Sequence, residues 1–332
     1  MKKALVTGAA GFIGSHVVKE LLNENIEVRA LLRPGESRKN LDGLDVEIME
    51  GDLLDKDTVG KAVKGVDTLF HLAAVYAIWM KNWQGIYEVN MQGSRNLLWA
   101  ALKNNVDRVV YTSSIAALGV SPGKQISNED TPFNQYDLGN HYVLTKYLSQ
   151  QEALAFSENG LDLVVVNPGF PFGANDIAPT PTGQIIIDIL NGVNRFSFNG
   201  GFNIVDVRDV ARGHVLAAKK GKTGHKYILG NMNLAMPDFM RMVNGAAGKG
   251  DRFTIKIPVK LLQVGTYFMK GWSDYVTSKP PMSTPPEIKY ASQYLYVDNT
   301  KARNELGLEL TPIEDSIDQA ISWFRKNNYI RI

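Results

Sequence analysis

The stretch "ALVTGAAGFIGSHVVKELL" near the start of the chain restricts its fold more than any other feature. A short apolar run, Lys3–Thr7, ends in a glycine turn, and a helix-like segment, Phe12–Asn23, follows at once. Gly8, Gly11 and Gly14 stand at the join, spaced G-x-x-G-x-x-G. Glycine lets the backbone turn tightly and approach a pyrophosphate closely. A helix starting there turns free N–H groups and its positive dipole end toward the anion. Strand, glycines, then helix is the context that a phosphate-binding loop requires. Gly8, Gly11, Phe12, Ile13 and Gly14 are therefore expected to hold a dinucleotide. Lysines before an apolar run can also open a secretion signal, but here glycines break the run.

The rhythm continues. Strand signals at Ile26–Leu32, Val46–Glu50, Asp67–His71, Arg108–Thr112 and Leu161–Asn167 alternate with helix signals at Thr58–Val63, Asn90–Asn104 and His141–Ser157. Alternation of this kind predicts parallel strands with right-handed crossovers. The expected fold is α/β: a doubly wound parallel Rossmann sheet with a smaller C-terminal substrate lobe. Residues 1–168 form the nucleotide-binding unit, and 202–220 return to it. Residues 169–201 and 221–332 mainly build the substrate lobe, where proline and glycine cluster and the rhythm is lost.

Composition narrows the function. The chain has 332 residues, 44% apolar and 21% charged, with a net charge of +2. Bulk charge therefore gives no reason to expect nucleic acid or membrane. There is no cysteine, which removes disulfides, a thiol nucleophile and thiolate metal sites. A reducing cytoplasm suits such a chain, and no metal is expected. No apolar run approaches the ~20 residues that span a bilayer.

The end of the second strand distinguishes the two nicotinamide nucleotides. An acid there would hold the ribose hydroxyls of NAD. This chain has leucines and then Arg33, with Arg38 and Lys39 nearby. Arg33 can pair with a 2′-phosphate and stack on adenine, so NADP(H) is favoured and NAD(H) stays possible. In "GDLLD", Asp52 can accept from the adenine amino group while Leu53 packs on the ring; Asp55 reads better as a helix cap. In "HLAA", Leu72, Ala73 and Ala74 would let a cofactor lie against backbone. His71 reads as a core histidine.

The fifth strand ends in "YTSS". A hydroxyl at the C-terminal end of a parallel strand points into the ligand crevice. Alternation puts Ser114 and Thr112 on one face and Ser113 on the other. Next comes "GNHYVLTKY", which sets Tyr142 and Lys146 four apart on one helix face. A phenol with a pKa near ~10 is a poor acid–base group at neutral pH. A neighbouring ammonium, and the charge of an oxidised nicotinamide, would lower that value. Lys146 can also bond the nicotinamide ribose, and Ser114 can hold a substrate oxygen. Together the three could protonate an alkoxide or deprotonate an alcohol. His141 points elsewhere and reads as a supporting or surface residue.

These motifs resemble, in order and spacing, the extended short-chain dehydrogenase/reductase family, also called NAD-dependent epimerase/dehydratases. The resemblance rests on "TGAAGFIGS", "GDL", "HLAA", Asn90–Gly93–Asn96, "YTSS", Tyr142/Lys146 and "NPG". Within it, "VNPGFPFGANDIAPTPTG" and Arg33 look like the dihydroflavonol 4-reductase-like branch and its relatives named as hopanoid-associated sugar epimerases. The resemblance implies a bound NAD(P) and a catalytic Ser114–Tyr142–Lys146 triad. It implies that Pro168 and Gly169 border the nicotinamide. It also implies a homodimer built from the 90–104 and 141–157 helices. "FPFGAND" departs from the "YGP"-like turn usual in sugar-nucleotide epimerases.

The expected activity is reduction of a small-molecule aldehyde or ketone by NADPH. The alternatives are a sugar epimerase or dehydratase that retains its cofactor, and a non-catalytic NADP-binding sensor. Tyr76 and Phe170 are expected to line the substrate pocket, with Phe202 and Trp79 as further aromatic candidates. An apolar rim suits an aromatic or lipid-like carbonyl. Val259–Trp272 reads as small-lobe core or as an amphipathic lid that roofs the pocket, and the Pro-rich segment Lys279–Glu287 takes no assigned role.

Overall fold

The computed structural model describes residues 1–77, 79–80, 82–193, 196–197, 199–250, 255–273, 281 and 283–330. Of the Pro-rich segment Lys279–Glu287, residues 279, 280 and 282 lie outside the described residues. In chain order the elements are β1 (Lys3–Thr7), α1 (Phe12–Asn23), β2 (Glu27–Leu32), β3 (Glu47–Glu50), α2 (Lys56–Val63), β4 (Thr68–His71), α3 (Gln84–Tyr87), α4 (Ser94–Lys103), β5 (Arg108–Thr112), α5 (His141–Glu158) and β6 (Leu163–Pro168). Beyond Pro168 come β7 (Phe170–Phe172), α6 (Pro181–Leu190), β8 (Phe196–Ser197), β9 (Gly201–Asp206), α7 (Val207–Lys220), β10 (Lys226–Leu229) and β11 (Met232–Ala235). The last are α8 (Met236–Ala246), β12 (Ile255–Lys256), α9 (Val259–Trp272), α10 (Pro285–Ala291), β13 (Tyr294–Leu295) and α11 (Ile313–Lys326).

Seven strands form one sheet in the order β10–β6–β5–β4–β1–β2–β3, with every neighbouring pair parallel. This is the doubly wound sheet that the strand–helix rhythm predicts. Alternation along each strand fills two separate cores. Ala4 and Val6 join α1 and α7 on one face. Leu5 joins α2, α4 and α5 on the other. With both faces covered, strands such as β6, "LVVVNP", are buried along their whole length. Strand order reverses between β1 and β4, and the loops after these strands part there to leave a crevice.

Of the stretch 202–220, only the helix α7 lies against this sheet, packed on α1. Its strand, β9, centres a smaller sheet with β7, β11 and β13. The strand that enters the large sheet after β6 is β10. The small sheet buries Phe172, Phe202 and Phe239 together with Ile317 and Phe324 of α11.

Two helical segments differ from the sequence reading. Asn90–Asn104 is not one α-helix: α3 passes into a π-helical turn, Glu88–Gly93, before α4. The turn carries Asn90 inward, where its amide bonds both backbone groups of Val75, N–H at 2.7 Å and C=O at 2.9 Å. Helix α9 is not small-lobe core, because Leu261, Val264, Phe268 and Trp272 are exposed, and none of its described residues lines the cavity at the crevice.

Candidate active site

The crevice at the switch point opens into a cavity of about 430 Å³. One end is the glycine loop. Gly8 sits at φ +66°, and a Cβ there would lie 2.9 Å from the Ala73 nitrogen. A Cβ on Gly14 would lie 2.0 Å from the Gly8 carbonyl oxygen. No side chain caps α1, and the N–H groups of Phe12, Ile13 and Gly14 bond no other described residue. Free amides at a helix N-terminus and a cradle that any side chain would fill fit the pyrophosphate of a dinucleotide.

Two asparagines shape the loops that flank this end. Asn90 clamps Val75 after β4, and Asn96 donates to the Leu53 carbonyl at 2.9 Å after β3. Gly93 lets Leu53 close in, since a Cβ would meet the Leu53 side chain at 2.9 Å. His71 is satisfied within the core. Ser94 gives its proton to the Asn90 carbonyl at 2.8 Å, so the His71 Nε2–H donates to Ser94 and Nδ1 accepts from Thr7. Burial holds this imidazole neutral, down to about 3.

The middle of the cavity brings together Thr112, Ser114, Tyr142, Lys146, Pro168 and Gly169. Lys146 is buried, and its ammonium donates to the Thr112 carbonyl at 3.0 Å. The Thr112 hydroxyl meets His214 Nε2 at 2.9 Å. His214 Nδ1 is 2.8 Å from the Val210 carbonyl, so Nδ1 carries the proton and Nε2 accepts from Thr112. Ser114 Oγ accepts from the Ala116 N–H at 3.1 Å, and its carbonyl takes a bond from Asn167 at 2.7 Å. Ser113, which alternation would turn away, also lines the cavity, and its Oγ has no partner among the described residues.

The electrostatics depart from the sequence expectation. Burial pushes the Tyr142 phenol up to about 12, and the nearby Ser114 hydroxyl, which favours the ionised form, offsets this only in part. Burial also pulls Lys146 down to about 8. Lys146 is committed to a carbonyl rather than to the phenol. Removal from water, not the ammonium, sets the direction of the phenol.

The other end of the cavity is apolar. Phe170 lies against Phe202, with ring centroids 4.9 Å apart, and Ile185, Met236 and Leu295 complete the wall. Tyr76 stacks edge-on to Tyr142, with centroids 4.5 Å apart. Tyr290 and Glu287 of α10 reach the same space. Nothing in the glycine or strand motifs pointed to these two. The signal that could have found them is "TPPE": Pro285 follows the cap Thr284, and Glu287 reaches back to the Thr284 N–H at 3.4 Å. Trp79 does not line the cavity. His141 stacks on Trp83 and bonds the Tyr87 hydroxyl at 3.0 Å, away from it.

Leu72 and Ala74 line the cavity; Arg33, Asp52, Leu53 and Ala73 do not. Arg33 is exposed at the end of β2. Its N–H donates to Glu36, and its guanidinium pairs with no described residue, whereas Arg38 is held by Glu50 at 2.6 Å. Asp52 is exposed and accepts from the Leu54 N–H at 2.9 Å. Asp55 caps α2.

Known proteins share this architecture. The NAD dependent epimerase/dehydratase family matches residues 4–230. A protein of Synechocystis sp. named "Putative dihydroflavonol 4-reductase" is 36% identical over 98% of this chain and 95% of its own. Sterol demethylase protein B of Methylococcus capsulatus is 32% identical over 98% of this chain and 99% of its own. The crystal structure of gox2253 superposes with a TM-score of 0.88 at 37% identity over 100% of both chains. The chain belongs to the NAD dependent epimerase/dehydratase family, the extended short-chain dehydrogenase/reductases, beside the branch that contains dihydroflavonol 4-reductase-like proteins.

Proposed function

We propose that this chain reduces an apolar aldehyde or ketone with NADPH, with Tyr142, Ser114 and Lys146 as the residues that act. One observation carries the reading. Tyr142 and Ser114 meet in one cavity, between a loop suited to pyrophosphate and a wall of aromatic and aliphatic side chains. A reduced nicotinamide on that loop would supply hydride to the carbonyl carbon. The glycine-loop amides and the start of α1 would hold the cofactor's phosphates, and Arg33 its 2′-phosphate. Ser114 donates a hydrogen bond to the carbonyl oxygen and positions it. Tyr142 passes its phenolic proton to that oxygen, which yields the alcohol. A phenol held near 12 is fully protonated at neutral pH and so is ready to donate. Pro168 and Gly169, which line the cavity, would border the nicotinamide.

The wall of Phe170, Phe202, Met236 and Leu295 favours a hydrocarbon-like substrate over a charged sugar nucleotide. The name of the Methylococcus relative, a sterol demethylase protein, points the same way. A homodimer through α4 and α5 is part of the proposal. The two helices already pair through Arg95 and Glu152, and Trp99 stays 49% exposed beside Phe156.

The test is a panel of aromatic and lipid-like carbonyl compounds followed by NADPH absorbance. Stoichiometric loss of NADPH with alcohol formation is expected. Sugar turnover without net cofactor consumption, with NAD retained through purification, would replace this reading by the epimerase or dehydratase one.

A further inference from the structure

Helix α9 (Val259–Trp272) turns its apolar residues outward. Leu261, Val264, Phe268 and Trp272 follow one another at spacings of three, four and four, so they form a single stripe. They are 64%, 52%, 77% and 63% exposed, and Tyr267 beside them is 66% exposed. The opposite side is the one that packs. Thr266 is buried, and Val259, Leu262 and Gln263 are half-buried, next to α10. This reverses the usual order of a surface helix, whose apolar stripe covers the core. Single exposed leucines are ordinary, but a continuous apolar patch marks a binding surface.

The charge of the sequence that carries α9 indicates what the patch meets. Residues 249–279 contain Lys249, Arg252, Lys256, Lys260, Lys270 and Lys279 against only Asp251 and Asp274. The whole chain is +2, so the remainder of the protein is net negative and the basic excess is local. The helix itself contains no acidic residue. A second copy of this chain seated on the stripe would bring two basic segments together under two-fold symmetry. An anionic lipid surface complements both the apolar stripe and the basic stretch of sequence that contains it. Tyrosine and tryptophan at the stripe suit the boundary between headgroups and acyl chains. No helix among the described residues is long and apolar enough to cross a membrane, so the attachment lies along the surface.

We propose that α9 is an in-plane anchor that lays its Leu261–Val264–Phe268–Trp272 stripe into the interface of an anionic bilayer. Its neighbour α10 lines the cavity through Glu287 and Tyr290, so the anchored face lies one helix from the pocket. The proposal does not rest on the reductase reading, because binding is read without turnover.

The experiment is co-sedimentation of the full chain with phosphatidylcholine–phosphatidylglycerol vesicles and with pure phosphatidylcholine vesicles. Partition into the anionic vesicles, weakened by added salt, is expected. The double variant Phe268→Glu/Trp272→Glu changes only exposed side chains, so it is expected to keep the wild-type thermal transition while losing partition by about tenfold or more. Lys260→Glu alone is expected to lose about fivefold, close to the 1 kcal/mol that each basic residue gives at such a surface. Failure of the wild type to bind either vesicle overturns the proposal. A soluble oligomer that the double variant dissociates, without vesicle binding, also overturns it and makes the stripe a self-interface.

Discussion

The cavity has two walls of opposite character and opposite origin. Its polar wall, Thr112, Ser114, Tyr142 and Lys146, comes from one continuous strand–loop–helix stretch, β5 to α5. Its apolar wall, Phe170, Ile185, Phe202, Met236, Tyr290 and Leu295, is gathered from β7, α6, β9, α8, α10 and β13. The polar groups come from the end of β5, inside the seven-stranded sheet, and from the 18-residue helix α5, so their positions are overdetermined. The apolar groups sit on strands of two to six residues and short helices. One wall is built to hold geometry. The other is assembled from six separate elements, which divides chemistry from substrate choice on this reading.

If that division holds, the largest effect falls on the polar wall. Tyr142→Phe removes the proton donor and leaves the ring in contact with Tyr76. Turnover of whichever carbonyl compound the panel identifies is expected to fall on the order of a thousandfold. NADPH affinity, followed by fluorescence titration, is expected to hold within a small factor. A Phe variant that keeps its rate would take Tyr142 out of the chemistry and break the comparison at its base.

A second effect tests the polar side beyond the cavity. The Arg33 guanidinium pairs with no described residue, so its loss disturbs little besides a bound phosphate. Arg33→Ala is expected to weaken NADPH binding by about tenfold to a hundredfold. NADH binding is expected to change little. Equal loss for both cofactors would assign Arg33 to adenine stacking instead of phosphate recognition.

The apolar wall is expected to answer differently. Phe170 is half-buried against Phe202. Phe170→Ala is expected to raise KM for an apolar substrate about tenfold, the worth of a few lost contacts in a pocket, with kcat altered much less. A variant that loses kcat and keeps KM would show that this wall also sets reacting geometry.

The two walls also differ in how far sequence announces them. Gly8 and Gly14 are legible because the turn against Ala73 and the close approach to the Gly8 carbonyl leave no room for a side chain, and Gly11 follows from the spacing between them. Ser114, Tyr142 and Lys146 are legible because strand alternation and helix spacing fix which side chains share a face. Strands β1 to β6 of the large sheet follow from the same periodicities, whereas β10, its seventh, lies where the rhythm is lost. Glu287 and Tyr290 were not legible, since no local pattern tells a helix which distant cavity it will meet. Nor was His214, which holds the Thr112 hydroxyl from α7. Its spacing in the helix matches any core residue. Helix α9 misled for a related reason: its period is that of a core helix, and only packing reveals which face is left outside. The phenol's direction was missed because spacing gives proximity to Lys146 but not the cost of leaving water.

That cost makes the smallest prediction, and it concerns stability. Lys146 is an ammonium buried among Thr112 and its neighbours, pulled down to about 8 by desolvation. In the unfolded chain a lysine titrates near ~10.4. Between these values the unfolded state holds a proton that the folded state has released, so stability rises as the pH climbs from about 8 toward about 10. Below that window Lys146 is charged in both states and the desolvation cost is fully present. Tyr142 has the opposite sign, because its phenol is raised, but that slope begins only above about pH 10. Lys146→Met keeps the stem and removes the charge. At neutral pH it is expected to stabilise the cofactor-free chain by about 1 kcal/mol, as replacing a buried ion with an apolar group commonly does. That corresponds to a rise in Tm of about 2 °C for a chain of this size. The gain is expected to shrink when the melt is repeated at pH 9.5, where wild-type Lys146 has lost its proton. A Met variant that melts below the wild type at both pH values would mean that the bond to the Thr112 carbonyl outweighs desolvation. The polar wall would then stabilise the fold instead of straining it.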